Sequence, residues 1–296
     1  MNSVKQFFES ESAVSTVVSF VLLLGLFVTV LAVFNIQYIP EWKTDAEKAH
    51  MDDVYDDMSQ LKARADMLSL ASSIEKNSTV SLSIPIKMGG GDIPIVSPTK
   101  SSGVLSVNDG IYNMDIRGRN ITNTTDSLIS DSYNLSNIRY TSNNGYYIDQ
   151  TFTYENGAVI VSQRDKSLMK LDPSISIKNE STLEVKLIFM EIVGDREVIT
   201  SNGIEEIKLT GNDWVEEFTP NKNESLTNLT ISMNTSYPSA WEKYLNDSAK
   251  DAGLAHPGDY DVDEGDNYVV FYLNSSDGNI DLYLRKATVD ARVGTF

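Results

Sequence analysis

Residues 13–39, from Ala13 to Ile39, read AVSTVVSFVLLLGLFVTVLAVFNIQYI without one charged side chain. Inside them, Val17 to Phe34 is apolar except at Ser19, Gly25 and Thr29. As a helix this inner run rises about 27 Å, at about 1.5 Å per residue. With its uncharged flanks it is long enough to cross a hydrocarbon core of about 30 Å. A secretory signal has a shorter apolar region, about 7 to 15 residues, and ends in small residues at a cleavage site. Here the run ends in Asn35-Ile36-Gln37-Tyr38-Ile39-Pro40. The reading is a retained transmembrane helix over 13–39, with a removed signal and a buried core helix as its rivals. Its membrane-facing or helix-packing residues are Val17, Val18, Phe20, Leu22, Leu23, Gly25, Phe27, Leu31 and Phe34.

Outward from this run, residues 1–12 (MNSVKQFFESES) form a polar leader. On the other side Pro40, which has no N–H, is expected to kink or interrupt the helix. Residues 40–76 then read as an amphipathic helix. Met51, Val54, Met58, Leu61, Ala65 and Leu68 are spaced 3, 4, 3, 4 and 3, an apolar stripe at helical period. Asp52, Asp53, Asp56 and Asp57 decorate the remaining face. The stripe is expected to pack on the domain that follows, with contact to neighbouring subunits as the alternative. Ala13 to Ile74 would span about 93 Å if fully helical, a stalk carrying a head.

Residues 77–296 change texture, to short alternating runs separated by Gly, Asn, Asp and Pro. Val80, Leu82, Ile84 and Ile86 alternate with Ser81, Ser83 and Pro85, a half-buried strand whose proline points to a sheet edge or a strand end. Gly89-Gly90-Gly91 reads as a turn or linker; no G-K-[ST] follows it to make a phosphate cradle. Further strands are expected at 103–107, 111–116, 138–141, 146–154, 158–162, 174–177, 183–193, 197–200, 204–209, 229–233, 268–273 and 280–291. Residues 119–136, with three sequons, read as a surface loop. A helix is expected over Pro238–Ala252, with Ser236 and Ser239 as candidate caps. Trp241, Tyr244, Leu245 and Ala249 share one of its faces, for core packing or, as the rival, an exposed adhesion site. Residues 274–279 read as a hairpin-like turn. The fold class is α+β: a long hydrophobic-then-amphipathic N-terminal helix, then a β-rich, sandwich-like head with one inserted helix.

Of the net charge of −18, −13 lies on residues 77–296, which speaks against a nucleic-acid partner. There are no cysteines, so disulfides, thiolate metal sites and cysteine nucleophiles are excluded. Lys5 precedes the apolar run while Lys43 and Lys48 follow it, so charge does not orient the span. Sequons do. Asn77, Asn120, Asn123, Asn134, Asn179, Asn223, Asn228, Asn234, Asn246 and Asn274 each open an N-x-S/T acceptor, and all follow the helix. They favour an N-inside, C-outside arrangement, with the body exposed to a glycosylating compartment.

For cofactor chemistry the most suggestive cluster is Asp259-Tyr260-Asp261-Val262-Asp263-Glu264-Gly265-Asp266. Asp259, Asp261 and Asp263 are the candidate ligands for a hard cation such as Ca²⁺, against the alternative of a solvated acidic loop. Glu264 and Val270 stand where an EF-hand loop needs Gly and Glu. With two histidines, His50 and His256, no His-rich zinc site can be built, and no G-x-S-x-G elbow is present. No catalytic residues are expected.

The stretch Glu11-Ser12-Ala13-Val14-Ser15-Thr16-Val17-Val18, followed by the apolar run, resembles the N-terminus of archaeal type IV pilin-like proteins. Their pattern is a short charged leader, A-V-S-P-V-I-G and a hydrophobic helix. Thr16 stands where that pattern has Pro, and Ser19 where it has Gly. The resemblance covers about thirty residues. It implies a prepilin-type peptidase cutting between Phe8 and Ala13, self-association through the N-terminal helix, and a place in the cell membrane or an extracellular filament. The rivals are a non-polymerising, single-span surface glycoprotein for adhesion or sensing, and a tethered exo-enzyme with converging carboxylates.

Overall fold

The computed structural model describes residues 2–74, 80–94, 96–120, 129–219, 226–275 and 280–294; the side chains of 2–15, 111, 120, 213, 214, 216 and 217 lie outside that description. Helix α1 covers Asn2–Val33, a π-turn covers Phe34–Tyr38, and α2 covers Ile39–Ile74. The six stripe residues from Met51 to Leu68 are all at most 3 % exposed. They lie against strands of the head, so the stripe packs on the following domain, as expected. The second helix is therefore part of the head's core and not a free stalk.

The strands are β1 (Ser81–Lys87), β2 (Ser102–Asn120), β3 (Ile129–Asn143), β4 (Thr151–Glu155), β5 (Ala158–Gln163), β6 (Lys166–Leu171) and β7 (Ile175–Asn179). They continue as β8 (Leu183–Val193), β9 (Glu197–Ser201), β10 (Ile204–Phe218), β11 (Leu226–Asn234), β12 (Tyr260–Glu264), β13 (Tyr268–Asn274) and β14 (Ile280–Val293). Helix α3 (Pro238–Asp251) is inserted after β11. All fourteen strands belong to one sheet. Pairing is antiparallel except for β8 and β14, which run parallel from Leu183 beside Ile280 to Val193 beside Asp290. Of the two places that Pro85 suits, β1 takes the sheet edge, and among the described residues it pairs with β10 alone. Strands β4 and β5 meet at Asn156-Gly157, both with positive φ (49° and 79°), the two-residue turn that suits a hairpin's twist.

Two apolar cores are stacked along the strands. Under α3, Trp241, Leu245 and Ala249 pack with residues such as Ile231, Phe271, Leu282 and Val185. Under α2, the stripe packs with Ile84, Ile86, Tyr154, Ile207, Leu209 and Val289. Strands β2, β3, β8 and β14 are long enough to supply both cores. The sheet folds back on itself, since β3 approaches β8, and β14 approaches β2, without pairing.

Four sequence expectations are corrected here. Residues 129–136 are not loop but the start of β3: Ile129, Tyr133 and Leu135 are buried while Ser130, Ser132 and Asn134 face out, and the polar outer face hid the alternation. Two strands were unforeseen. In β6 the alternating residues are only half covered, and β12 is mostly acidic. The hairpin-like turn expected over 274–279 lies mostly outside the described residues, and β13 and β14 on either side of it do not pair with each other. Strands β13 and β14 both run antiparallel to β11, along the same edge, so the chain continues in one direction and pairs onward with β10 and β8. At α3 the cap position is Tyr237, with no side-chain cap from Ser236 or Ser239; Pro238 opens the helix instead. Its aromatic face is core: Trp241 is fully buried and Tyr244 donates to the Ile175 carbonyl at 3.1 Å.

Truncating the centre of the stripe should therefore unfold the head. Leu61→Ala is expected to cost about 2–5 kcal/mol. Met67→Ala, on the exposed face of the same helix, should stay within about 0.5 kcal/mol. Chemical denaturation of the full chain in detergent, followed by near-ultraviolet circular dichroism, separates the two.

Candidate functional site

Every described residue from Thr16 to Val33 is exposed, and this helix is long and apolar enough to span a membrane. Its polar side chains close on their own backbone: Thr29 donates to the Gly25 carbonyl and Asn35 to the Leu31 carbonyl, each at 2.8 Å. Such back-bonding removes the cost of taking a hydroxyl or amide into lipid. A Cβ on Gly25 would meet nothing within 4 Å, so no contact inside the described chain requires glycine there.

Helical structure passes through Pro40 without interruption. The irregularity lies just ahead of it, where Ile39 N–H reaches back to the Phe34 carbonyl across the wide turn. Local widening of this kind re-accommodates a helix around the missing proline donor. Phe34, Tyr38 and Trp42 cluster here, with Phe34 and Trp42 edge to face at 5.2 Å. Aromatic residues at the end of an apolar span are suited to the bilayer interface.

One helical turn later the chain is latched to the head by charged groups. Lys43 Nζ donates to the Thr99 carbonyl at 2.5 Å. Glu47 accepts three backbone amides, Gly145 at 3.0 Å, Tyr146 at 2.7 Å and Tyr147 at 2.6 Å. His50 Nε2 lies 3.2 Å from Tyr140 Oη, which itself donates to the Met88 carbonyl at 3.0 Å. The Tyr140 proton being spent on Met88, His50 must be the donor to Tyr140. Burial lowers the His50 pKa and keeps the ring neutral. Asp57 accepts the Lys87 amide at 2.9 Å, while burial raises its pKa. Gly90 and Gly91 belong to this latch rather than to a linker. A Cβ on Gly90 would lie 2.4 Å from His50, and one on Gly91, at φ +79°, would lie 2.5 Å from Glu47.

Sequence reasoning passed over these four side chains because charge on a helix normally marks its wet face. The signal was their spacing. Positions 43, 47, 50, 54, 57, 61, 65 and 68 step by 3 or 4, so the latch extends the apolar stripe toward the apolar helix. Asp57 thus leaves the exposed set, while Asp52, Asp53 and Asp56 remain in it.

The acidic cluster is not a loop that gathers ligands. Asp261 and Asp263 lie on β12 and Asp259 just before it, all exposed. Asp259 accepts the Ala255 amide at 2.9 Å, and Asp261 meets His256 Nε2 at 2.9 Å and Val262 N–H at 3.0 Å. Extended backbone spreads the carboxylates along the strand. Among the described residues, no group of three acidic or histidine side chains could hold a metal. Of the sequons, Asn134, Asn179, Asn234 and Asn274 are exposed, and Asn228 and Asn246 are half-buried. Asn77, Asn123, Asn223 and the side chain of Asn120 lie outside the described residues.

A second built feature lies at the seam of the two cores. Glu155, 1 % exposed at the end of β4, accepts Thr235 Oγ1 at 2.6 Å and Trp241 Nε1 at 2.9 Å. Burial pushes its pKa up to about 7 in spite of these donors and of nearby Arg139. It lines a cavity of about 210 Å³.

A family model matches residues 13–292. The chain belongs to DUF7289, a family of unknown function. The DUF7289 match takes in the apolar helix, the latch and the head as one unit, and begins at Ala13. No curated protein and no solved structure matches the chain.

Two outcomes follow from this geometry. Glu47→Ala strands three amides, and is expected to cost about 2–4 kcal/mol and to speed hydrogen exchange at residues 145–147. Glu155 binds its proton more tightly folded (about 7) than its ordinary 4.5. Its stabilisation is therefore complete below 4.5 and fades as pH rises through 7, by about 3 kcal/mol in full. Glu155→Gln should remove that component. The difference between variant and parent melting temperatures, followed from pH 4.5 to about 8, is then expected to widen in the variant's favour.

Proposed function

We propose that this chain is a structural or adhesive cell-surface protein. In this reading it is a pilin-like subunit, held in the membrane by its N-terminal helix with the head outside. The observation that carries the reading is the union of an apolar helix, exposed from Thr16 to Val33, with a second helix locked into a β-rich head. A load or displacement applied to the head would reach the membrane segment through Lys43, Glu47 and His50 without a flexible linker. The Ala13–Val18 resemblance and the start of the family match at Ala13 support a leader distinct from the working chain. In a filament the apolar helices would leave lipid and bundle. Lipid supplies no hydrophobic drive for that step, so it would rest on close packing, for which Gly25 and Ser19 are small enough. The exposed sequons support a reading in which the head carries glycans.

One observation favours a second reading, a single-span surface glycoprotein that does not polymerise. Thr29 and Asn35 are satisfied within their own helix and need no partner helix.

Mass spectrometry of the chain from its native membrane is expected to find a new N-terminus between Phe8 and Ala13. Electron microscopy is expected to find filaments that disappear in Gly25→Leu, a variant whose head should melt as the parent does. An intact Met1 together with no filaments would sink the pilin reading in favour of the simple anchor.

A further inference from the structure

The cavity beside Glu155 is placed by a defect in a strand. Between Val107 and Ile111 the register of β2 against β3 slips. There Asn108 and Gly110 take positive φ (54° and 128°), and Ser136 Oγ donates to the Gly110 carbonyl at 3.0 Å. Bulges of this kind recur where a sheet is shaped around a site. The pocket opens between this bulge, Asn137 and Arg139 on β3, Glu155 on β4, and the β11–α3 turn.

Its walls hold hydrogen-bonding capacity that the protein does not use. Among the described residues, Asn137 Oδ1 and Arg139 Nε find no partner. Neither does Tyr112 Oη, beside the Asn156 amide, which lowers its pKa against the larger upward push of burial; Tyr112 is 8 % exposed. Buried polar atoms without partners are rare, and each carries a cost of about 1–3 kcal/mol unless a ligand or water meets it.

Charge narrows the occupant. Arg139 donates to the Asp109 carbonyl at 2.8 Å, and the Asp109 carboxylate is also held by Arg196 at 2.6 Å. With Glu155 and Asp109 facing Arg139, neither a cation nor an anion finds a wall of opposite sign. The lining is polar and apolar in nearly equal parts, which suits a molecule with both hydroxyl groups and carbon faces. What fits is a neutral molecule whose groups both donate and accept, toward Asn137 Oδ1 and Arg139 Nε respectively. The volume equals about seven waters of liquid, the scale of one sugar ring.

We infer that this cavity binds a small, uncharged, hydroxyl-rich ligand of sugar size through Tyr112, Asn137 and Arg139. The site does not depend on whether the chain polymerises. Such hydroxyls have two sources, because Asn234-Thr235-Ser236 is itself a sequon and lines the mouth. They come from a free saccharide, or from a glycan carried on Asn234.

The test uses the full chain in detergent, made in a host that does not glycosylate it, with glucose, galactose, mannose and N-acetylglucosamine at millimolar concentration. Saturation-transfer NMR is expected to show contact with at least one of them. Tyr112→Phe and Asn137→Ala each delete an unpartnered group, so the melting temperature should hold or rise while affinity falls about five- to tenfold. In chain from native cells, a glycan on Asn234 that blocks the free sugar, with binding restored in Asn234→Gln, identifies the attached source; binding without that change identifies the free one. Absence of transfer from all four sugars, or affinity unchanged in both variants, overturns the proposal and leaves a pocket of water.

Discussion

The carboxylate of Glu47 accepts three consecutive backbone amides from the loop after β3, one turn beyond the place where the helix leaves its apolar surroundings. A buried carboxylate is costly unless its lone pairs are filled, and three amides fill them. Because those amides belong to Gly145, Tyr146 and Tyr147, the loop's backbone has its conformation set by the helix. Lys43 on Thr99 and His50 against Tyr140 repeat the arrangement on either side. The glycines at 90 and 91 let backbone reach the helix where a side chain would keep it away. The polar contacts fix where α2 sits, and the apolar stripe below them supplies most of the area it buries.

That arrangement lets one helix serve two surroundings. From Thr16 to Val33 it is exposed on every side and almost wholly apolar, with Thr29 and, just beyond, Asn35 folded back on carbonyls of their own helix. From Lys43 onward it is polar outside and apolar inside. The aromatic cluster of Phe34, Tyr38 and Trp42 and the wide turn ahead of Pro40 lie between these regimes. The widening sits where the missing proline donor would otherwise leave a carbonyl unmatched.

The head uses the length of a few strands to build two cores under two helices. Where β2 crosses from one core to the other it bulges, and the bulge, Arg139 and Glu155 leave a polar seam between apolar layers. A carboxyl as deeply buried as Glu155 titrates near neutrality because it is desolvated, and its two donors only partly offset that. The seam is where the head departs from a simple apolar filling, and where its chemistry is concentrated.

Period and hydropathy alone determined the apolar span over 13–39, the buried stripe from Met51 to Leu68, the alternation of β1 and the inserted α3, because each is written as a local repeat of apolar residues. Strands with polar outer faces, such as 129–136, and the acidic β12 carried no such repeat. The parallel pairing of β14 with β8, and the shared direction of β13 and β14 along β11, depended on partners far away in sequence. The same holds for the site. Glu47, His50, Asp57 and Glu155 look like wet residues in the sequence. Only the tertiary structure brings amides, hydroxyls and an indole to them, and a charged or titratable side chain is buried only when such partners, supplied by distant segments, are already in place.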